Sequence, residues 1–202
     1  MQLLLIFAFT FYMLKKALNF LKEKLNTAIS DPAQPASVIL TSIVNERGEV
    51  NIQSGQLAIM LVNLEEEKIL KMQLPHEKRV GNNIQFANPE IKLNLLVMLA
   101  ANPGADNYLA ALDTLSQAML FFQGTSFFDK IKYPALAPEI EKLTLELFSL
   151  TLEQQNQLWA SLGAKYLPSA IYKIRLVVVD QELFGESKPL VKVIDNNLKK
   201  IS

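Results

Sequence analysis

The stretch "LTLELFSLTLEQQNQLWASLGAKYLPSAIYKIRLVVVD", Leu143 to Asp180, decides the fold because its hydrophobic period changes twice. Leu143, Leu145 and Leu147 recur at every second residue, the pattern of a strand with one buried face. Thr151 followed three residues later by Gln154 is a capping-box signature, worth about 1 kcal/mol to a helix start. The helix it opens carries Leu152, Leu158, Trp159 and Leu162, and Gly163 stops it. Pro168 biases Leu167 away from helical backbone, and the period of two then resumes. Tyr172, Ile174, Leu176 and Val178 point one way, Lys173 and Arg175 the other. Strand, helix, strand is the unit of an α/β fold. Trp159 is expected to pack its helix onto the sheet. Lys173 and Arg175 read either as a solvated face or as half of an ionic interface.

Working outward, "NPEIKLNLLVMLAANPG" places Ile91, Leu93, Leu95, Val97 and Leu99 at every odd position, a sustained strand closed by Asn102-Pro103-Gly104. "ADNYLAALDTLSQAMLFFQG" follows, with Tyr108, Leu112, Leu115, Met119 and Phe122 on one helical stripe and Gly124 at its end. Further back, "SVILTSIV" (Ser37–Val44) and "QLAIMLVNL" (Gln56–Leu64) read as strands joined by the turn-rich "NERGEVNIQSG". The second is apolar on both faces and is expected to be central in its sheet. Nearer the N-terminus, Leu14, Ala17, Leu18, Leu21, Leu25, Ala28 and Ile29 form one apolar helix stripe between lysines, ended by Asp31-Pro32. The whole predicts a single α/β domain over residues 13–180, with three principal helices on a mixed sheet of about five strands.

Composition narrows the function. The chain has 202 residues, half of them hydrophobic, enough for one buried core. Its 20 basic and 20 acidic residues cancel, so it lacks the Lys/Arg excess that phosphate binding requires, and nucleic acid is not expected as a partner. No cysteine is present, which removes disulfides, thiolate metal sites and cysteine nucleophiles together. There is no phosphate-binding loop and no Gly-x-Gly-x-x-Gly; the lone His76, in "LPHEKRVGN", reads as a solvated loop residue. No enzyme activity, cofactor or metal is therefore expected. The run Glu65-Glu66-Glu67 lacks the spaced ligands and turn glycine of a calcium loop, and reads as an exposed strand end or as a partner for lysines on a neighbouring chain.

Both termini leave choices open. "MQLLLIFAFTFYMLKK" holds an apolar run, Leu3 to Leu14, with no basic residue ahead of it, too short for the roughly 20 residues of a membrane span. Residues 1–12 are thus an upstream extension from an early start, an interfacial anchor, or a helix extension packed on protein. The tail, residues 181–202, contains "LVKVI", in which Leu190, Val191 and Val193 are β-prone. Five residues make no stable strand alone, so the run is frayed, or adds to its own sheet, or adds to another chain's edge.

The succession "LKKALNFLKEKLN", "LVNLEEEKIL", "NPEIKLNLLVMLAAN", "YLAALDTLSQAMLFFQG" and the Leu143–Val179 stretch resembles the N-terminal domain of the cap proteins of extracellular contractile injection systems, which are phage-tail-like particles. The match runs from about Met13 to Asp180. Its most specific parts are Leu158-Trp159, Pro168-Ser169 and Tyr172-Lys173-Ile174-Arg175, with the Asn63–Glu67 turn. The resemblance implies a tail-terminator-like fold and a structural role: a hexameric ring that closes the distal end of the inner tube and holds the last sheath ring. Its partners would be its own copies, the inner tube protein and the sheath protein, assembled in the bacterial cytoplasm and carried out in the particle. Candidate interface residues are Glu65, Glu66, Glu67, Lys173, Arg175, Leu190, Val191 and Val193. The twelve-residue leader and an end at Ser202 depart from the family pattern. The alternative is a membrane-associated accessory protein anchored by that leader, although a membrane partner is not expected.

Overall fold

The computed structural model describes residues 2–29, 38–67, 76–80, 83–87, 91–105, 107–178 and 188–189. Helix α1 (Gln2–Ile29) runs without a break through the predicted boundary at Met13, whose side chain is fully buried. It is followed by strands β1 (Val38–Leu40), β2 (Leu57–Glu66), β3 (His76–Val80), β4 (Asn83–Ala87) and β5 (Ile91–Ala101). Helix α2 (Tyr108–Gly124), β6 (Phe127–Asp129), β7 (Ile140–Phe148), α3 (Leu152–Leu162), β8 (Ser169–Val178) and β9 (Lys188–Pro189) complete the described order. Among the described residues no helix is long and apolar enough to cross a membrane.

Six strands form one mixed sheet in the order β1-β2-β5-β8-β7-β6, antiparallel throughout except where β1 lies parallel to β2. The sixth is β6, three residues that the sequence pattern does not announce. One face carries the main core: Leu93, Leu95, Val97 and Leu99 of β5 and Tyr172, Ile174, Leu176 and Val178 of β8 pack under α1 and α2. The other face holds a smaller core in which Met98, Ala100 and Ile171 meet Trp159 of α3 and Leu167. Period-two alternation thus separates the two cores, odd residues of β5 and even residues of β8 facing α1 and α2.

Local chemistry explains the ends of α3. The Thr151 Oγ1 accepts from the Gln154 backbone N–H at 3.2 Å, and the Gln154 side chain accepts from the Thr151 N–H at 3.0 Å. At the far end Gly163 takes a left-handed conformation, φ 65°, that L side chains rarely adopt. In α2 the buried stripe is Ala111, Leu115, Ala118 and Phe122, while Tyr108, expected inside, is 55% exposed. The helix turns its alanines inward because small side chains allow close approach to its neighbours, a preference that residue size in the sequence conceals.

Three further departures concern strands. The "SVILTSIV" strand is short: β1 ends at Leu40, and Val44 makes only an isolated bridge to Val50. β2 is central only as far as Ile59, where β1 stops. His76 lies at the start of β3, paired with Ala87 in an antiparallel hairpin with β4, and not in a loop. β9 adds to that hairpin through two residues, giving a second, small sheet in the order β3-β4-β9.

Candidate assembly surfaces

The Asn63–Glu67 stretch, expected as a turn, instead carries the end of a bulged strand, with Glu65 and Glu66 the last two residues of β2. Pairing of β2 with β5 slips between Leu61 and Asn63, and past the slip Glu65 stands opposite Asn94 and Glu66 opposite Leu93. Residues directly opposite share a face of the sheet. Glu66 therefore joins the α1/α2 side, while Glu65 joins the α3 side. Asn94 in turn lies opposite Arg175 on β8, and Arg175 opposite Thr144 on β7. The register so aligns Glu65, Asn94, Arg175 and Thr144 in one row across four strands, and two candidates distant in sequence, Glu65 and Arg175, meet on one face. Lys173 belongs to the same face, opposite Leu96 on one side and Glu146 on the other.

Glu65, Asn94 and Arg175 of this row are each held by neighbours outside it. The Asn63 side-chain amide donates to Glu65 Oε1 at 3.0 Å, and Asn94 Nδ2 donates to Glu67 Oε2 at 2.9 Å. The Glu67 backbone N–H donates to the Lys92 carbonyl at 2.9 Å, extending the β2–β5 ladder beyond β2. Asn94 is buried to 5% exposure, and its Oδ1 has no partner among the described residues. Arg175 and Glu146 form an ion pair at 3.3 Å with side chains 45% and 50% exposed. An exposed pair of this kind contributes about 0–1 kcal/mol, so either member can exchange its partner at small cost. The polar half of this face is consequently suited to contact a charged surface, with both signs already in place.

The remaining candidates separate from it. Glu66 is exposed on the opposite face. Leu190, Val191 and Val193 lie outside the described residues, just past the β9 pairing at Lys188–Pro189. Among the described residues no group of three or more His, Asp or Glu side chains could hold a metal ion. What sequence reasoning missed is that, among the described residues, no strand pairs with β2 beyond Ile59 on the β1 side, a consequence of how short β1 is. The turn-rich composition after Val44 is its only trace in the sequence.

The arrangement has known counterparts. The family model of the Pvc16 N-terminal domain matches residues 17–192. The chain belongs to that family. The matched residues include the smaller core, every buried residue of the main core except Met13, the polar face and the start of the "LVKVI" run. Among solved structures, the fold is similar to the sheath/tube terminator of PVC, an extracellular contractile injection system, in its extended state. That likeness has a TM-score of 0.63 at 12% identity and covers 92% of this chain and 63% of that one. The tube-terminating cap of the anti-feeding prophage gives a TM-score of 0.60 at 14% identity, over 90% of this chain and 60% of that one. At such identities the likeness is one of fold, and this chain spans under two-thirds of either structure's chain. No curated protein is similar enough in sequence to count as a match.

Proposed function

We propose that this chain is a structural subunit, not an enzyme, of the cap that ends the inner tube of a contractile injection particle. In this reading copies of the chain close into a hexameric ring, sit on the last tube ring and hold the last sheath ring, after assembly in the bacterial cytoplasm. The observation that carries it is the sheet-and-helix fold shared with a sheath/tube terminator over 92% of the chain, together with membership of the Pvc16 N-terminal domain family. A terminator presents one surface complementary to the ring below and withholds the surface that the next ring would need. Growth then stops by geometry, with no bond made or broken. Such a task needs two unlike surfaces on one rigid sheet, and the polar half of the α3-side face, with Glu65, Glu67, Lys173 and Arg175, is our candidate for one of them.

Negative-stain imaging of the purified chain with assembled tube protein tests the reading: ring-shaped density at tube ends is expected, and a chain that stays monomeric beside bare tube ends overturns it. Arg175→Glu then tests the face. Because Arg175 is 45% exposed, the variant should keep its thermal midpoint yet lose end occupancy. Unchanged capping would remove Arg175 from the contact surface.

A further inference from the structure

The β1 side of the main sheet is closed at one residue and open at the next. Asn26 of α1 clamps Val38, its Nδ2 donating to the Val38 carbonyl at 3.0 Å and its Oδ1 accepting from the Val38 N–H at 2.8 Å. The clamp occupies the outward peptide groups of Val38, and with β1 only three residues long this edge offers little for another strand to pair with. Then the Thr41 N–H donates to the Ile59 carbonyl at 3.2 Å, and the chain turns away. Among the described residues no strand pairs with β2 on this side from Met60 to Leu64. Backbone alternation turns the peptide groups of Leu61 the same way as those of Ile59, toward the gap.

The gap is also a groove of about 550 Å³, walled by Leu14 and Leu18 of α1 on one face and Leu158 and Leu162 of α3 on the other, with Met60 and Leu61 at its base. A strand laid there would send alternate side chains toward α1 and toward α3. Although Lys15 and Ser161 also line it, the leucines on both walls favour an occupant apolar on both faces, a run of adjacent aliphatic residues and not a simple alternation.

The chain carries such a run at Leu190–Ile194. Leu190 and Ile194 fall on one face of an extended segment and Val191 and Val193 on the other, while Lys192 can lay its stem along the wall and keep its charge in water. In the small sheet the described pairing stops just before this run. Lys188 pairs with Ile84 and Pro189 with Asn83, the first residue of β4, so the described pairing reaches the end of that strand. The opposite edge of the main sheet is less accommodating. There the edge strand is β6, only three residues long, and next to it the Leu145 N–H already donates to the Ser126 carbonyl at 2.8 Å, leaving Glu146–Phe148 of β7 beyond.

We propose that Leu190–Ile194 of one copy adds as a strand to the β2 edge of the next copy, between α1 and α3. The assignment to a second copy rests on the ring reading: donor and acceptor are different surfaces of one chain, and a contact of that heterologous kind closes rings. Main-chain hydrogen bonds would supply the affinity and the two aliphatic walls the register.

The absence of native cysteine makes the test direct. Full-length Leu61→Cys chains are mixed with chains carrying a single cysteine at one of positions 190–194, oxidised mildly and run on a non-reducing gel. A mixed dimer is expected for alternate positions only, because cross-strand neighbours bring their Cβ atoms to about 4.5–5.5 Å while the intervening residues face away. Adding Val191→Pro or Val193→Pro to a linking chain should abolish the band. No link at any of the five positions overturns the proposal, as does a link confined to single chains carrying both cysteines. Chains that link but leave tube ends bare keep this pairing and remove the terminator reading; capped ends without any link do the reverse.

Discussion

Trp159 is 5% exposed, with its ring edge-on to Tyr166 at a centroid distance of 5.5 Å. It seals the smaller core over Met98, Ala100 and Ile171, and Trp159→Ala should cost about 3–5 kcal/mol and lower the thermal midpoint of the isolated chain. An unchanged midpoint with failed assembly would instead make Trp159 an interface anchor. Tyr172 offers a test in pH. Burial raises its phenol above the ordinary 10.0, so the fold favours the neutral form. Below that ordinary value both folded and unfolded chains keep the proton and stability is unaffected; as pH climbs through it the unfolded chain ionises first and stability falls. Tyr172→Phe keeps the edge contact with Phe122, 5.2 Å away, and should flatten the alkaline loss of thermal midpoint relative to the native chain. At this scale the facing of Lys173 and Arg175 was legible, since a regular strand fixes it by counting. The facing of the glutamates was not. The slip at Leu61/Asn63 exchanges the faces of Glu65 and Glu66, and nothing in "LVNLEEE" marks it.

Among the elements, those governed by local chemistry could be read directly. The cap at Thr151, the stop at Gly163 and the alternation along β5 and β8 are properties of a few adjacent residues, and the structure has each of them. Elements whose extent depends on a distant partner could not. β1 ends where its chain turns away from β2, β6 exists because β7 offers an edge, and β3 depends on β4 for a partner. The Asn26 clamp on Val38 belongs to this second class, a side chain twelve residues away replacing a missing strand. Asn26→Ala should leave the Val38 N–H and carbonyl without these partners and cost about 1–3 kcal/mol, read as a lower urea midpoint with an unchanged slope. A variant as stable as the native chain would mean that water serves the β1 edge equally well.

For the whole molecule, the question is how much of the chain is framework and how much is attachment. Every strand of the main sheet lies between Val38 and Val178, and both cores draw their buried residues from Met13 to Val178. By contrast β9 touches the rest of the described chain through a two-residue pairing with β4. Deleting residues 186–202 therefore removes no main-sheet hydrogen bond and none of the described core side chains. The shortened chain should keep the thermal midpoint and circular dichroism of the native one. What it should lose is association, because a ring held by an added strand depends on main-chain bonds that a missing segment cannot make. We expect smaller species by light scattering and fewer capped ends by imaging, at equal protein concentration. The two halves of this prediction fail separately. A deletion that unfolds the chain would make the tail part of the framework, and a folded deletion that caps tubes at native occupancy would make it a passive end, leaving the polar face of Glu65, Lys173 and Arg175 to hold the ring.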